Sequence, residues 1–242
     1  FDWLSIAHLK RRRRSFGPTK PQVLLLSMLR VIPVLFFGPM IWIPLQILGC
    51  LLQIYGFWVE PFKIHVSRES LTTDKLSLGT GIQILHLGDL HLERLSIREE
   101  LLNRLILELR PDMILFSGDF LCLSSIRDLD AWKELQKVLG EWFAPLGIFA
   151  VTGSPAVDLP ENFPEILNGT PIRLLDNEKV EISVKNDKVQ VIGIACSHKP
   201  HEDFPHLKRL VQGIDSGFKI LLHHSPDLAP NACELNIDLQ LS

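Results

Sequence analysis

Four apolar runs in this chain, each the length of a β-strand, stop at polar residues able to do chemistry. Ile82 to Leu87 runs into Gly88-Asp89-Leu90-His91, and Met113 to Phe116 into Ser117-Gly118-Asp119. Gly147 to Val151 runs into Thr152-Gly153-Ser154, and Phe218 to Leu222 into His223-His224. Between the runs the apolar spacing becomes helical: Leu101, Leu102, Leu105, Ile106 and Leu109, then Trp132, Leu135, Val138 and Leu139. Shorter strands are expected at Ile172 to Leu174, Val180 to Val184 and Val189 to Ile194, with short helices at Pro164 to Leu167 and Phe204 to Val211. This alternation predicts a layered α/β domain. In open α/β sheets functional groups gather at the carboxyl ends of the strands. The acids and histidines at these ends are therefore expected to meet.

Their chemistry narrows what they can do together. Two carboxylates and two or three imidazoles suit zinc, iron or manganese and argue against a calcium-only site. Asp89 and His91 are two residues apart, so one short loop can direct both inward. Asp119 has two oxygens with which to bridge two ions. Net charge is −3, which gives no footprint for nucleic acid. Cys50, Cys122, Cys196 and Cys233 are widely spaced, with no Cys-x-x-Cys pair, and are read as small core residues rather than a disulfide framework. His198 and His201 follow another apolar strand and are read as a solvated loop able to reach the rim of the site. His8, His65, His86 and His206 are read as structural.

Gly88-Asp89-Leu90-His91 resembles the Asp-x-His motif of calcineurin-like metallophosphoesterases, and Ser117-Gly118-Asp119 resembles their Gly-Asp motif. Leu221-Leu222-His223-His224-Ser225-Pro226 is similar to their x-His-x-Pro element. The order holds across roughly residues 61 to 242, and an N-terminal apolar segment followed by Glu60-Pro61 resembles the branch of membrane-associated or exported bacterial phosphodiesterases. The resemblance implies a β-sandwich flanked by helices, in α/β/β/α layers. It implies two divalent metal ions (manganese, iron or zinc). Asp89 and His91 would hold the first, Asp119 would bridge, and His224 would hold the second.

Two departures stand out. The family's Gly-Asn-His-Asp/Glu motif reads Gly153-Ser154-Pro155-Ala156 here, so the usual motif histidine is Pro155. Ser154, Asp158 and His223 are kept as reserve ligands. The family's last motif, Gly-His-x-His, follows a strand like Ile237-Asp238-Leu239-Gln240-Leu241-Ser242, where this chain stops; the sequence is read as truncated there.

A different segment bears on location. Val31 to Val59 carries no charged residue, and about 20 apolar residues cross a bilayer. Pro33, Pro39 and Pro44 interrupt it. One kinked span is expected, with a re-entrant hairpin turning near Gly38-Pro39 as the alternative. The basic run Lys10 to Arg14 before a single span predicts a cytoplasmic N-terminus and an extracytoplasmic domain. Arg13-Arg14-Ser15-Phe16 also resembles a twin-arginine export signal, which leads to the same side.

The expected organisation is a basic segment over residues 1–20, a transmembrane or anchoring segment over 21–60, and a metallophosphoesterase domain over 61–242. The expected function is hydrolysis of a phosphodiester or pyrophosphate, including a lipid-linked one, by metal-bound hydroxide at a bilayer, with no nucleic acid. The alternative is a degenerate, weak or inactive protein of this fold that binds a metal or a partner.

Overall fold

The computed structural model describes residues 25–36, 38–77, 79–214 and 216–242. The basic run Lys10 to Arg14, the twin-arginine resemblance and His8 lie outside the described residues. The chain divides into two compact units, Phe1–Ser67 with Glu93–Leu102, and Arg68–Leu92 with Asn103–Ser242.

In the first unit, Gly38 caps and Pro39 opens helix α1 (Pro39–Ile54), the position where a proline loses no hydrogen bond. A π turn (Tyr55–Val59) and a 3-10 turn (Glu60–Phe62) follow. Arg30 reaches α1 from the segment before it. Its guanidinium donates to Gln53 Oε1 at 2.6 Å and to the Gln46 carbonyl at 2.7 Å, and Gln46 Nε2 donates back to the Arg30 carbonyl at 2.7 Å. Position 30 thus lies beside positions 46 and 53, in a hairpin whose break falls at the expected Gly38-Pro39.

The structure does not show the expected single kinked span. No helix among the described residues is long and apolar enough to cross a membrane. The 16 residues of α1 rise about 24 Å, short of a hydrocarbon core of ~30 Å. The hairpin is nevertheless inside out. Gln53 is buried, while Met40, Ile41, Ile47, Leu51 and Leu52 are exposed.

Among the described residues, the second unit holds eight strands. β1 (Ile84–Leu87), β2 (Met113–Phe116), β3 (Ile148–Ala150) and β4 (Ile172–Leu174) form a wholly parallel sheet in that order. β5 (Glu178–Val184), β6 (Asp187–Ile194), β7 (Phe218–His223) and β8 (Leu239–Leu241) form a second sheet. It begins as an antiparallel hairpin and continues in parallel. Parallel strands are covered on both faces, which is why β2 reads as an unbroken apolar Met-Ile-Leu-Phe.

Alternate residues sort onto the two faces. Met113, Leu115, Phe149 and Val151 share one core with Val189, Val191, Ile220 and Leu222 of the second sheet. Ile192, Ile194 and Leu221 face the other way, onto Leu207, Leu228 and Ala232. Helix α2 (Ile97–Leu109) is shared between the units, and α3 (Leu129–Gly140) is capped by Asp128. Phe116 meets Trp142, just past α3, at 5.8 Å between ring centres. α4 (Phe163–Ile166), α5 (Pro200–Val211) and α6 (Ala229–Glu234) complete the set; α5 buries Asp203 and Leu207, and α6 buries Ala232. The unit is a mixed α/β sandwich of a parallel and a mixed sheet.

The stretch from Ile64 to Leu76 is extended chain without a ladder, tethered by Asp187 to Ser77 and by Asp238 to Lys75. The reading of all four cysteines as core residues fails at Cys233, which is exposed on α6, whereas Cys196 is buried; none of the four forms a disulfide.

Leu115 is fully buried between the sheets. Leu115→Ala is expected to lower the unfolding free energy by roughly 2–5 kcal/mol, read by urea denaturation; a change within a few tenths of wild type would contradict this core.

Candidate metal centre

Parallel strands deliver their carboxyl ends to one edge of a sheet. At that edge the chain departs from ordinary backbone geometry. Asp89, His91 and Asp119 all have positive φ, at 51°, 42° and 58°. Such conformations are uncommon outside glycine, cost about 1–3 kcal/mol each, and cluster at functional sites. Hydrogen bonds between the two loops hold them there. Asp89 N–H donates to the Gly118 carbonyl, His91 N–H to that of Asp119 and Leu92 N–H to that of Phe120, each at 3.0 Å.

The loop after β2 also lies on the loop after β3. A Cβ at Gly118, whose φ is 102°, would collide with the Gly153 backbone, and one at Gly153 with Asp119. Only glycine permits this approach. Asp158 locks it. Its carboxylate accepts the N–H groups of Asp119 (2.7 Å), Gly153 (2.7 Å) and Phe120 (3.1 Å). Asp158 is 2% exposed. Burial pushes its pKa up to about 6; the three backbone donors work against that shift, and the charge of Asp119 adds to it. Both its oxygens are engaged by backbone, so Asp158 clamps the loops and does not reach into the site as a ligand.

Ligand atoms of Asp89, His91 and Asp119 lie within 4.8 Å of one another. His91 Nε2 is 3.4 Å from Asp119 Oδ2 and 3.8 Å from Asp89 Oδ1. The other oxygen, Asp119 Oδ1, is 3.7 Å from His224 Nε2. Asp119 therefore turns one oxygen to each of two imidazoles. His224 Nδ1 is 3.0 Å from the Ser117 carbonyl. A carbonyl can only accept, so Nδ1 carries the proton and Nε2 offers its lone pair toward Asp119. Ser154 donates its N–H to Asp119 Oδ1 at 2.6 Å. Its hydroxyl lies 3.3 Å from His224 Nε2 and 3.5 Å from Asp119 Oδ2. One hydroxyl proton cannot serve both acceptors. A buried carboxylate facing imidazole lone pairs is a donor set that a divalent cation satisfies.

The reserve candidates separate. Ser154 joins the cluster. His223 does not: it is buried, with its ring between the Ser225 carbonyl and Asp203. Pro155 lies exposed in the turn. His198, left at the rim by the sequence, comes in, with Nε2 at 3.0 Å from Ser154 Oγ and its ring edge-on to His224 at 5.8 Å. His201, three residues on, stays in solvent. The local signal for His198 was only its place after an apolar strand. Its positive φ of 58° matches Asp89, His91 and Asp119. His86 donates to or accepts from Ser117 Oγ at 3.1 Å, and burial pushes its pKa down.

Residues 82–236 match the model of the calcineurin-like phosphoesterase family. The chain belongs to that family. Its members are hydrolases and bind divalent metals, which accords with the donor set at Asp119. The chain is 29% identical over 192 residues to an uncharacterized metallophosphoesterase of Aquifex aeolicus, covering 76% of this chain and 70% of that one. It is 27% identical over 173 residues to the uncharacterized metallophosphoesterase YkoQ of Bacillus subtilis, covering 70% and 62%. It is 25% identical over 202 residues to the UDP-2,3-diacylglucosamine pyrophosphatase LpxG of Chlamydia muridarum, covering 61% and 58%. The chain thus spans less than two thirds of the length of the last two.

Asp158 yields a pH prediction. Its pKa is raised on folding, from 3.8 to about 6. The stability it contributes is full below pH 3.8 and is lost as pH rises through about 6. Relative to Asp158→Asn, wild type without metal is expected to lose roughly 3 kcal/mol across that window. Urea unfolding at a series of pH values reads it; parallel profiles for the two proteins would refute the clamp's raised pKa.

Proposed function

We propose that this phosphoesterase hydrolyses a phosphodiester or pyrophosphate at a two-ion centre built on Asp119. The observation that carries the proposal is the division of labour at that carboxylate, with Oδ2 facing His91 and Oδ1 facing His224. Asp89 and His91 would hold one ion, His224 the other, and Asp119 both. Zinc, manganese or iron at such a centre supplies Lewis acidity and an activated water for in-line displacement at phosphorus. The chain's own residues do the rest. Asp158 and the paired glycines hold Asp119 in register. The Ser117 carbonyl keeps the Nε2 lone pair of His224 aimed inward. Ser154 N–H fixes the remaining orientation of Asp119.

A pyrophosphate with a lipid tail is the substrate class we favour. The name of the LpxG relative points to such a substrate, and the exposed apolar residues of α1 suit a bilayer surface. Proposed membrane association through the hairpin also revises the expected sidedness. A hairpin leaves both ends on one side, so the extracytoplasmic placement argued from a single span does not follow from it. A second reading, a protein that binds metal without efficient turnover, rests on Pro155, which offers no imidazole for protonating a leaving group.

Manganese- or zinc-dependent hydrolysis of an activated phosphodiester tests the reading. Asp119→Asn is expected to reduce turnover by more than about a hundredfold, beyond the 10–100-fold that loss of an outer partner brings. Turnover equal to wild type in that variant would sink the assignment, and stoichiometric metal without turnover in wild type would favour the second reading. For the hairpin, flotation with anionic vesicles is expected to carry the protein upward. Replacing Met40, Ile47 and Leu51 by Ser is expected to leave it at the bottom of the gradient; flotation unchanged by the replacement would argue against bilayer contact there.

A further inference from the structure

A second group of ligand-type side chains lies inside the same unit, away from Asp119's carboxylate. Cys196 follows β6, Asp203 lies in the first turn of α5, and His223 ends β7. One ligand atom from each falls within 4.8 Å of the other two. The three residues are 5%, 4% and 1% exposed. No part of the mechanism above uses them.

Hydrogen bonding shows what this group lacks. His223 Nδ1 is 2.7 Å from the Ser225 carbonyl, which can only accept, so Nδ1 bears a proton. Nε2 faces Asp203 Oδ2 at 3.2 Å. With one ring proton, two electron-pair donors face each other in a buried place. The same Asp203 oxygen already accepts Ser197 N–H at 3.1 Å, which leaves the clash with Nε2 unrelieved. A positive centre belongs between Nε2 and Oδ2, either a second ring proton or a metal ion. A proton would account for the imidazole and the carboxylate alone. The Cys196 sulfur, 3.7 Å from His198 Nδ1, would stay outside that pair, whereas a metal ion takes in all three groups. A tetrahedral ion with bonds of about 2.0–2.3 Å separates its ligands by roughly 3.3–3.8 Å, close to the 3.2 Å found here. Thiolate, imidazole and carboxylate together select zinc over magnesium, calcium or manganese. An Nδ1–H held by a backbone carbonyl is also the usual outer support of a ligating histidine.

We propose that Cys196, Asp203 and His223 form a buried zinc site distinct from the centre at Asp119. Binding there displaces the thiol proton to solvent as the thiolate takes the metal. The ion ties the end of β6 to the first turn of α5 and the end of β7. Those are the segments that carry His198 and His224, so the site is a structural brace beneath the reactive centre.

Cobalt substitution distinguishes this ion from the others. The centre at Asp119 has only nitrogen and oxygen donors, so a thiolate-to-cobalt charge-transfer band in the near ultraviolet reports the Cys196 site alone. The band is expected in wild type and in Asp119→Asn, and is expected to vanish in Cys196→Ser. Zinc-edge X-ray absorption of the wild-type protein needs no variant to fold, and is expected to show a sulfur neighbour at about 2.3 Å, with an occupancy below one per zinc ion when the centre at Asp119 is also loaded. A cobalt-loaded protein without the band, a band surviving Cys196→Ser, or a zinc shell of nitrogen and oxygen only would overturn the proposal and leave a second ring proton on His223. Those outcomes do not touch the reading of Asp119, which fails separately through the loss of metal-dependent hydrolysis.

Discussion

The contact between the loops after β2 and β3 governs the rest of this molecule's site. Their backbones meet at Gly118 and Gly153, closer than any side chain would allow. Asp158 closes the contact by accepting an N–H from each loop. Without it the left-handed turn at Asp119 would lack support, and Asp119 could not present one oxygen to His91 and the other to His224. A buried carboxylate with a raised pKa is an expensive clamp. Its three backbone donors return part of what desolvation takes.

Strain follows from the same geometry. Asp89, His91, Asp119 and His198 share positive φ, and three of these four turns lie at the ends of parallel strands or just beyond. Each conformation is unfavourable alone and persists because the surrounding ladder over-determines it. The result is a backbone that brings these donors together before any ion arrives, which lowers the ordering that binding must supply. The departure at Pro155 removes one imidazole from the usual place, and the loop after β6 brings His198 beside Ser154 in the same neighbourhood.

The first unit reverses the usual order of inside and outside. Arg30 hydrogen-bonds Gln46 and Gln53 along α1, and the aliphatic side chains are left facing outward. Local chemistry explains the hairpin. Gly38 and Pro39 cannot continue a helix from the preceding segment, while Pro39 is well placed to start the next one. A long uncharged stretch is therefore compatible with two short helical pieces as readily as with one span.

What the sequence determined by itself was the part written in short-range pattern. Unbroken apolar runs marked the parallel strands, helical spacing marked α2 and α3, and the polar stops marked the strand ends where Asp89, His91, Asp119 and His224 come together. Glycine beside Asp119 and Ser154 was legible as a motif, though its reason, a backbone contact, was not. The tertiary structure alone decided which of several similar residues belongs where. His223 and His224 are neighbours in the chain, yet His223 closes β7 and His224 lies just past it, and the two rings meet different partners. One joins Asp203 and Cys196 on the helix side, and the other joins Asp119. His198 enters and His201 does not because of a single left-handed turn. Asp158, a reserve ligand by its chemistry, became a clamp because N–H groups of Asp119 and Phe120, distant in sequence, converge on it with that of Gly153. Side-chain direction and long-range convergence have no local signature, since both depend on where the rest of the chain comes to lie.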